Sequence, residues 1–404
     1  MSEPVSFADI EAAREVVYQE ARRTQLIESR WLSRIVGGQV ALKAENLQRT
    51  GSFKLRGAVN KIASLAPGIT RVVTGSAGNH GQSLAYAARA RGLEATVFMP
   101  ERAALGKIAA AEEWGAEIVF AGASVEECID EAKRAGDDGA SAFVHPFDDP
   151  HVIAGQGTLG IEVSDEVPDL ARVIVPVGGG GLASGVAVAL KERSPDIELI
   201  GVQAKACAPL PESLAAGEPR SVAGSLSLAD GIVVKRPGEF TLPLLERFLD
   251  DVALVDEDTI AETIVALLER TKLVVEGAGA VGVAALLGGA VVPAASGTTV
   301  VILSGGNIDP GVLADVTRRH ETAKGRRLRL FTTIPDRPGS LAALLTCLGE
   351  GGANLIDVAH VREGVGLSVN ETGVELVMET RGEEHARHLL ELVEERGYSA
   401  RVLS

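Results

Sequence analysis

Short runs of β-branched residues alternate with alanine-rich segments along most of this chain. The runs that predict strands begin near residues 71, 95, 117, 142, 172, 198 and 298, and segments long enough for helices separate them. This alternation is typical of βαβ units, whose parallel sheets are covered by helices on both faces. We therefore predict an α/β fold with two parallel-sheet subdomains. One is built around residues 45–150, and the other from the N-terminal helix and residues 151–318.

The composition is that of an ordinary globular protein with a large hydrophobic core. The chain has 404 residues, 46% of them hydrophobic and 23% charged, so it exceeds one average domain and can bury a large core. Its net charge of −16 argues against a nucleic acid or an anionic membrane as a partner. Cys128, Cys207 and Cys347 show no metal-ligand spacing, so we expect free thiols in a reducing compartment and no metal site.

The N-terminal region predicts a helix and no export signal. Ser6 followed by Asp9 is a capping-box pattern for a helix from about Phe7 to Arg23, and no apolar signal segment precedes it. Residues 277–308 carry no charge, but Pro293 and eight glycines interrupt them. We predict a buried helix and a buried strand there rather than a membrane span, and a cytoplasmic protein.

A different pattern begins in the C-terminal part of the chain. Residues 319–327 are basic and polar, and they predict a linker between an N-terminal part, 1–318, and a C-terminal part, 328–404. In the C-terminal part, the turn Asp336-Arg337-Pro338-Gly339 stands between the first predicted strand and the first predicted helix. The whole predicts a ferredoxin-like βαββαβ domain. A generic α+β oligomerisation domain is the alternative.

Lys54 is the first candidate for chemistry. It lies between Phe53 and small residues, in a segment that glycines interrupt too often for a plain surface helix. A lysine in a partly apolar pocket loses solvation of its ammonium group, so its pKa falls and the nucleophilic amine becomes accessible. A Schiff-base lysine needs this property. Most lysines are solvated surface residues, so the loops described next decide between the two interpretations.

The loop Ser76-Ala77-Gly78-Asn79-His80 lies between a predicted strand that ends at Thr74 and a helix that begins near His80. Backbone N–H groups at such a turn lack partners within the helix and can bind an anion. By itself, this loop would equally be an ordinary helix start.

A run of four glycines opens a second helix after the predicted strand RVIVPV. Its backbone amides can close around a phosphate, and the run comprises Gly178, Gly179, Gly180 and Gly181, followed by Leu182. A dinucleotide-binding protein would show a similar turn, together with a ribose-binding carboxylate at the end of the next strand. That strand, ELIGVQ, ends in Gln203, which weakens the nicotinamide interpretation.

A third loop, Ser304-Gly305-Gly306-Asn307, ends the predicted strand TTVVIL. Together with the Lys54 segment, the three loops follow the order found in tryptophan-synthase-β-like (fold type II) pyridoxal-phosphate enzymes. From about residue 20 to about residue 320, the chain resembles their threonine dehydratase and serine racemase branch.

This resemblance implies pyridoxal 5'-phosphate as the cofactor and Lys54 as the catalytic Schiff-base lysine. It implies that the other cofactor contacts come from Phe53, Asn79, Gly178, Gly179, Gly180, Gly181, Leu182 and Ser304. It implies that the substrate, chiefly its carboxylate, contacts the loop Ser76, Ala77, Gly78, Asn79 and His80. His80 receives no chemical role of its own.

The resemblance also suggests individual roles. Asn79 would hydrogen-bond the phenolic oxygen of the cofactor, and Ser304 would face its pyridine nitrogen. A hydroxyl there leaves the nitrogen largely unprotonated and the ring a weaker electron sink, which elimination tolerates better than transamination does. Glu276 would lie near the ring, although its position also fits a surface carboxylate at a helix boundary.

Two departures separate the chain from the serine racemases. Those enzymes carry an acid/base serine where this sequence has Ala77, and metal-binding carboxylates where it has Gln203 and Pro209. We therefore expect neither racemisation nor a metal requirement.

The expected reaction is β-elimination of L-threonine, and also of L-serine, to 2-oxobutanoate or pyruvate and ammonia, with Lys54 as the general base. The near alternatives are serine or 3-hydroxyaspartate dehydration, or serine racemisation, on the same fold. More distant ones are a nicotinamide-dependent oxidoreductase and a non-enzymatic amino-acid sensor.

With its DRPGSL turn, the C-terminal part resembles an ACT domain, a small amino-acid-sensing module. The resemblance implies an amino-acid effector and pairing of copies, hence a homo-oligomer, either a dimer or a tetramer. Isoleucine, whose biosynthesis uses 2-oxobutanoate, is the expected effector, with valine as its antagonist.

Overall fold

The protein, in a computed structural model, is described over residues 4–362 and 367–403. It consists of two compact units, one ending at Asp309 and the other beginning at Pro310. Within the described residues, no helix is both long enough and apolar enough to cross a membrane.

In the described part of the first unit, ten strands form two sheets. The strands are β1 (Leu26–Glu28), β2 (Gln39–Ala44), β3 (Arg71–Gly75), β4 (Glu94–Met99), β5 (Ala116–Phe120), β6 (Ser141–Phe143), β7 (Leu170–Pro176), β8 (Glu198–Ala204), β9 (Asp251–Val255) and β10 (Thr298–Leu303). The small sheet has the order β5-β4-β3-β6 and the large sheet the order β1-β2-β10-β7-β8-β9. All pairs are parallel except β1 with β2. The predicted α/β fold with parallel sheets is confirmed.

Over the same described residues, twelve α-helices connect and cover these strands. They are α1 (Phe7–Glu20), α2 (Arg30–Val36), α3 (Lys54–Ala63), α4 (Asn79–Ala90), α5 (Leu105–Glu113), α6 (Val125–Ala135), α7 (Pro150–Glu166), α8 (Gly181–Arg193), α9 (Leu210–Ala216), α10 (Thr241–Phe248), α11 (Glu257–Thr271) and α12 (Gly277–Leu287). Two short 3-10 helices, Glu45–Leu47 and Asp230–Ile232, lie between them. The predicted capping box at Ser6 and Asp9 does open α1.

The core of the large sheet is aliphatic, and glycines let its helices approach closely. Helices α7 and α8 touch where Gly185 faces α7: a methyl group added there would lie 2.3 Å from the carbonyl oxygen of Ile153. Val173, Val175 and Leu199 fill the sheet side of the same core. The uncharged stretch after residue 277 forms the buried helix α12 and strand β10, as predicted.

Arg56 lies at the centre of a buried ion network. Its guanidinium donates to Glu45 through Nε (2.9 Å) and Nη2 (2.8 Å), and to Glu162 through Nη1 (2.7 Å) and Nη2 (3.0 Å). The ammonium of Lys43 lies 2.9 Å from Glu162 and donates to Glu166 at 3.0 Å. The network therefore ties together β2, the 3-10 helix after it, α3 and α7.

The second unit begins with α13 (Pro310–Ala323). It continues with β11 (Arg327–Pro335), α14 (Ser340–Glu350), β12 (Asn354–Val361), β13 (Glu371–Glu379), α15 (Glu383–Glu395) and β14 (Arg401–Val402). These four strands form an antiparallel sheet in the order β12-β13-β11-β14. Leu330, Leu376, Leu344 and Leu389 belong to the core between this sheet and helices α14 and α15.

The predicted linker 319–327 needs correction. Helix α13 runs through Ala323, and the boundary between the compact units falls after Asp309 rather than after residue 318. Basic and polar residues are as typical of the solvent-facing side of a helix as of a linker. Arg318 pairs with Asp315 one turn away, which is such a surface contact.

Replacing Arg56 by methionine should destabilise the first unit strongly. The change leaves the buried carboxylates of Glu45 and Glu162 without their main cation, and breaking a buried pair in this way costs about 3–5 kcal/mol. The free energy of unfolding from chemical denaturation measures the loss.

Arg193→Met is the matched control. Arg193 pairs with Asp165 at 2.6 Å on the surface, where such a pair contributes about 0–1 kcal/mol. If Arg56→Met and Arg193→Met lowered the free energy of unfolding equally, the buried network would contribute no more to stability than a surface ion pair.

Candidate active site

The predicted site residues lie at the carboxyl ends of parallel strands, where open α/β sheets form their binding crevices. The loop Ser76–Gly78 follows β3 of the small sheet, whereas Gly178–Gly180 and Ser304–Asn307 follow β7 and β10 of the large sheet. Lys54 begins α3, in the segment that follows β2.

Backbone hydrogen bonds bring Lys54 and Ser304 together. The N–H of Phe53 donates to the carbonyl oxygen of Ser304 at 3.1 Å, and the N–H of Gly306 donates to that of Gly51 at 2.9 Å. An isolated β-bridge joins Ser52 to Gly305 between these two contacts. The lysine segment is therefore held against the loop that ends β10.

The Lys54 side chain is half-buried, and its amine is largely removed from water. Its Nζ donates to the carbonyl oxygen of Pro146 at 2.7 Å and lies 5.3 Å from the centroid of the Phe53 ring. Desolvation lowers the pKa of Lys54 to about 8, and the carboxylate of Glu276 opposes this shift in part. A larger share of the amine is therefore neutral and nucleophilic near neutral pH than on an ordinary lysine.

A chain of amides and one carboxylate links the two sheets. The Nδ2 of Asn79 donates to Oε1 of Glu276 at 2.7 Å, and the Nδ2 of Asn307 donates to Oδ1 of Asn79 at 2.6 Å. Asn307 also donates to the carbonyl oxygen of Thr50 at 2.9 Å. The amide of Asn79 is thus fixed in orientation from both sides.

Glu276 is buried beside this chain. Burial raises the pKa of Glu276 to about 7; nearby Asp230 adds to the shift, and the Asn79 hydrogen bond opposes it. Glu276 precedes α12 as its N-cap residue, with only 5% of its surface exposed. The alternative of a surface carboxylate is therefore wrong.

The loop before α4 offers backbone donors. Gly78 is the N-cap residue and has no side chain of its own to cap the helix. The Ser76 hydroxyl accepts from the N–H groups of Gly78 and Gly81, each at 3.2 Å, so it shapes the loop. His80 is buried, with Nε2 3.3 Å from the carbonyl oxygen of Val144. Desolvation and the nearby Lys54 charge lower the pKa of His80 to about 3.

The four glycines form a tight cradle at the start of α8. Gly180 is the N-cap residue with φ +100°, a conformation that favours glycine, and no described side chain caps the helix. A methyl group on Gly179 would lie 2.3 Å from the Phe147 ring, so a side chain there would collide with the wall. Leu182 points into the core of the large sheet, which leaves its backbone for a ligand.

These residues fit a pyridoxal phosphate group. An uncapped helix start with glycines can hold the phosphate, because its N–H groups have no partners within the helix. The amine of Lys54 is suited to react with an aldehyde. Near it, the buried hydroxyl of Ser52 and Nδ1 of His80 have no hydrogen-bond partner within the described residues. Such groups indicate polar ligand atoms in this region.

Gln203 has a structural role that a carboxylate could not fill. Its Nε2 donates to the carbonyl oxygen of Val177 at 3.1 Å, while its Oε1 accepts from the N–H of Leu210 at 3.0 Å. An amide can donate and accept at once, whereas an ionised carboxylate only accepts. This explains why neither a ribose-binding nor a metal-binding carboxylate stands at this position.

Sequence reasoning missed several groups of the site. The carbonyl of Pro146, which accepts from Lys54, is a backbone group without a sequence signal. Asn307 was part of the predicted SGGN loop, but its contact with Asn79 spans 228 residues and no local pattern reveals it. Asp230, which acts on Glu276, follows no recognised motif.

Comparison with known proteins agrees with this geometry. The family model described as "Pyridoxal-phosphate dependent enzyme" matches residues 17–305. An L-threonine ammonia-lyase of Geobacter sulfurreducens is 45% identical over 399 residues, which is 98% of each chain.

Solved structures are also similar. A threonine deaminase from T.th. has a TM-score of 0.71 at 40% identity, and the match covers 75% of this chain and 99% of that one. Maize serine racemase has a TM-score of 0.74 at 32% identity, covering 79% and 98%. With the family model matching well over half of its length, the chain belongs to the pyridoxal-phosphate dependent enzymes.

Proposed function

We propose that the chain is a pyridoxal-phosphate dependent threonine ammonia-lyase. It converts L-threonine to 2-oxobutanoate and ammonia, and L-serine to pyruvate and ammonia. One observation carries this proposal: the desolvated Lys54, the uncapped glycine cradle Gly178–Gly181 and the buried Ser304 all lie at the carboxyl ends of parallel strands. The similarity to an L-threonine ammonia-lyase over 98% of the chain supports the substrate.

Each group has a distinct task in this proposal. The N–H groups of Gly178–Gly181 and of the start of α8 would hold the phosphate of the cofactor. Lys54 would bond to its aldehyde carbon, and Ser304 would face its pyridine nitrogen. When bound, pyridoxal phosphate supplies an electron sink for the electron pair left on Cα. The Ser304 hydroxyl does not supply the negative charge that would keep the nitrogen protonated, which suits elimination.

The remaining steps belong to side chains and backbone groups of the protein. The N–H groups of Ser76 and Gly78 donate to the carbonyl oxygen of Phe98 and to the Ser76 hydroxyl, so the N–H of Ala77 and those of the first turn of α4 would bind the substrate carboxylate and orient Cα–H toward Lys54. The Nζ of Lys54, kept partly neutral by burial, takes the Cα proton. Lys54 can return this proton to the β-hydroxyl, which leaves as water. The released enamine tautomerises and hydrolyses to the keto acid and ammonia. Asn79 is held in place by Glu276 and Asn307 throughout.

We further propose that the second unit is a ferredoxin-like ACT domain that senses an amino acid. Its elements follow the order βαββαβ, and its sheet is antiparallel. The turn Asp336–Gly339 ends at Gly339, the N-cap of α14, with φ +91°. The N–H groups of Asp336 and Arg337 donate to the carbonyl oxygens of Asn370 and Pro335, so within the described residues the N–H of Gly339 is the donor that this turn can offer a carboxylate. Isoleucine is the proposed effector, bound where two copies pair in a homo-oligomer.

Lys54→Ala should remove both the cofactor anchor and the general base. We expect loss of the visible absorbance that the cofactor has when bound to a lysine. Turnover of threonine should fall by about three orders of magnitude or more, because two contributions disappear together. Absorbance spectra and a keto-acid assay measure these effects.

Lys61→Ala is the control on the same helix, since Lys61 lies about two turns beyond Lys54 and pairs with Asp149. It should retain the absorbance and most of the activity. A Lys54→Ala enzyme that turned over threonine at a near-native rate would exclude the assignment.

The reaction with L-serine should give pyruvate without appreciable D-serine, because Ala77 offers no acid/base group. The variant Ala77→Ser introduces a hydroxyl at that position and should increase the yield of D-serine. Chiral chromatography measures both. Comparable racemisation by the unmodified enzyme would overturn the proposal that this chain is a lyase without racemase activity. A chelator should leave the activity nearly unchanged.

Isoleucine should shift the threonine saturation curve of the full-length enzyme. An effector acts only through its preference for one conformational state, with a coupling typically about 1–3 kcal/mol. Gly339→Val should abolish the shift, because a β-branched residue at φ +91° distorts the turn.

Gly382→Val provides a matched control. Gly382 is the N-cap of α15 in the same sheet–helix layer, has φ +122°, and has open space around it, as Gly339 has. This variant should lose similar stability and keep the isoleucine response. If isoleucine neither binds in calorimetry nor shifts the curve, the effector is wrong.

A further inference from the structure

Residues 230–235, Asp230-Gly231-Ile232-Val233-Val234-Lys235, form a wall of the site. This segment, which we call the strap, begins with the 3-10 helix Asp230–Ile232. A methyl group added at Gly178 would lie 3.1 Å from Cα of Ile232 and 3.3 Å from Cγ2 of Val234. One added at Gly231 would lie 3.7 Å from Oε1 of Glu276. The strap therefore lies between the glycine cradle and Glu276.

Two ion pairs join the strap to helices of the small sheet. Asp230 pairs with Lys107 of α5, which connects β4 to β5. Lys235 lies 3.7 Å from Glu126 of α6, which connects β5 to β6. The strap itself lies in the chain between β8 and β9, which are strands of the large sheet. The two pairs thus span the crevice in which the site lies.

The polarity of the two pairs is opposite. At one end of the strap the small sheet supplies the cation, and at the other end it supplies the anion. Displacement of the strap along the crevice would bring Lys235 toward Lys107, or Asp230 toward Glu126, and like charges would repel. Because the two ion pairs have opposite polarity, one position of the strap is favoured by attraction within the pairs, and shifted positions are disfavoured by repulsion between like charges.

The pairs are also partly exposed. The side-chain exposures are 24% for Lys107 and 53% for Asp230, and 46% for Lys235 and 54% for Glu126. Exposed ion pairs hold weakly and are screened by salt. They can fix a closed position and still release when a substrate enters or a product leaves.

We propose that the strap is a gate over the site, and that Lys107–Asp230 and Glu126–Lys235 are the positioning pairs that hold it closed. Closure would keep the strap against the phosphate cradle and exclude water from the substrate, as mobile loops of other enzymes do. This inference deepens the proposed function and rests on it for the identity of the substrate.

Hydrogen–deuterium exchange of the strap tests the gate independently of activity. Lys107→Glu replaces attraction to Asp230 by repulsion, and exchange over residues 229–236 should rise about fivefold, as expected for loss of an exposed pair. The double variant Lys107→Glu/Asp230→Lys restores the pair with inverted polarity, and exchange should return to the native rate. Glu126→Lys and Glu126→Lys/Lys235→Glu repeat the comparison at the other end.

Kinetics provide the second readout on the complete enzyme with its cofactor. The single variants should raise KM for threonine more than they lower kcat, and raised salt should do the same to the unmodified enzyme. The exchange Glu126→Lys/Lys235→Glu should restore KM. The Lys107/Asp230 exchange is judged by hydrogen–deuterium exchange alone, because both residues also act on Glu276. Lys205→Glu is the control: Lys205 pairs with Asp256 at similar exposure, but both residues belong to the large-sheet side. It should change neither strap exchange nor KM.

The gate would be overturned if hydrogen exchange of the strap were unchanged in Lys107→Glu and Glu126→Lys. It would also be overturned if neither charge-swapped double variant restored the native rate of hydrogen exchange. Absence of threonine turnover by the unmodified enzyme would instead reject the proposed function. The exchange measurements would still decide whether the pairs hold the strap.

Discussion

The bidentate pairing of Arg56 with Glu45 and Glu162 is the interaction on which the geometry of the site depends. It joins α3 to the end of β2 and to α7, and Lys54 lies only two residues before it on α3. Guanidinium groups prefer fixed bidentate geometry with carboxylates, so the network restricts rotation of α3 as well as its position. Without it, the first turn of α3 would lose the support that aims Lys54 into the crevice.

The site itself is assembled mainly by backbone contacts and amides. The segment 50–53 and the loop 304–307 are joined by main-chain hydrogen bonds, and Asn307 extends this connection to Asn79 of the small sheet. Amides suit this task because each can donate and accept at once without carrying a charge into a buried crevice. Asn79 and Asn307 therefore connect the two sheets without adding a charge to those of Lys54 and Glu276.

The sequence predicted those parts of the fold that have a local pattern. All seven apolar runs are strands, but β1, β2 and β9 were not predicted. In β2, Lys43 interrupts the apolar run, and this buried lysine is paired with Glu162 and Glu166, which lie far away in the sequence. The residues of the glycine loops were identified from motifs. The contacts of Asn307, Pro146 and Asp230 could not be predicted, since they join segments far apart in the chain.

Helix α3 carries the buried Arg56 and the half-buried Lys54, whose surroundings shift their pKa values in opposite directions. Desolvation lowers the pKa of both groups, but two carboxylates surround Arg56 and raise its pKa above the usual value. The Lys54 amine donates to a carbonyl oxygen and lies near an aromatic ring, and Glu276 offsets its desolvation only in part, so its pKa falls to about 8. A permanently charged arginine stabilises the fold, whereas a lysine that readily loses its proton can act as nucleophile and base. Arg56 and Lys54 differ in role because Glu45 and Glu162 contact Arg56 and not Lys54. Both glutamates lie outside α3, so the role of each cation on this helix is set by other segments of the chain.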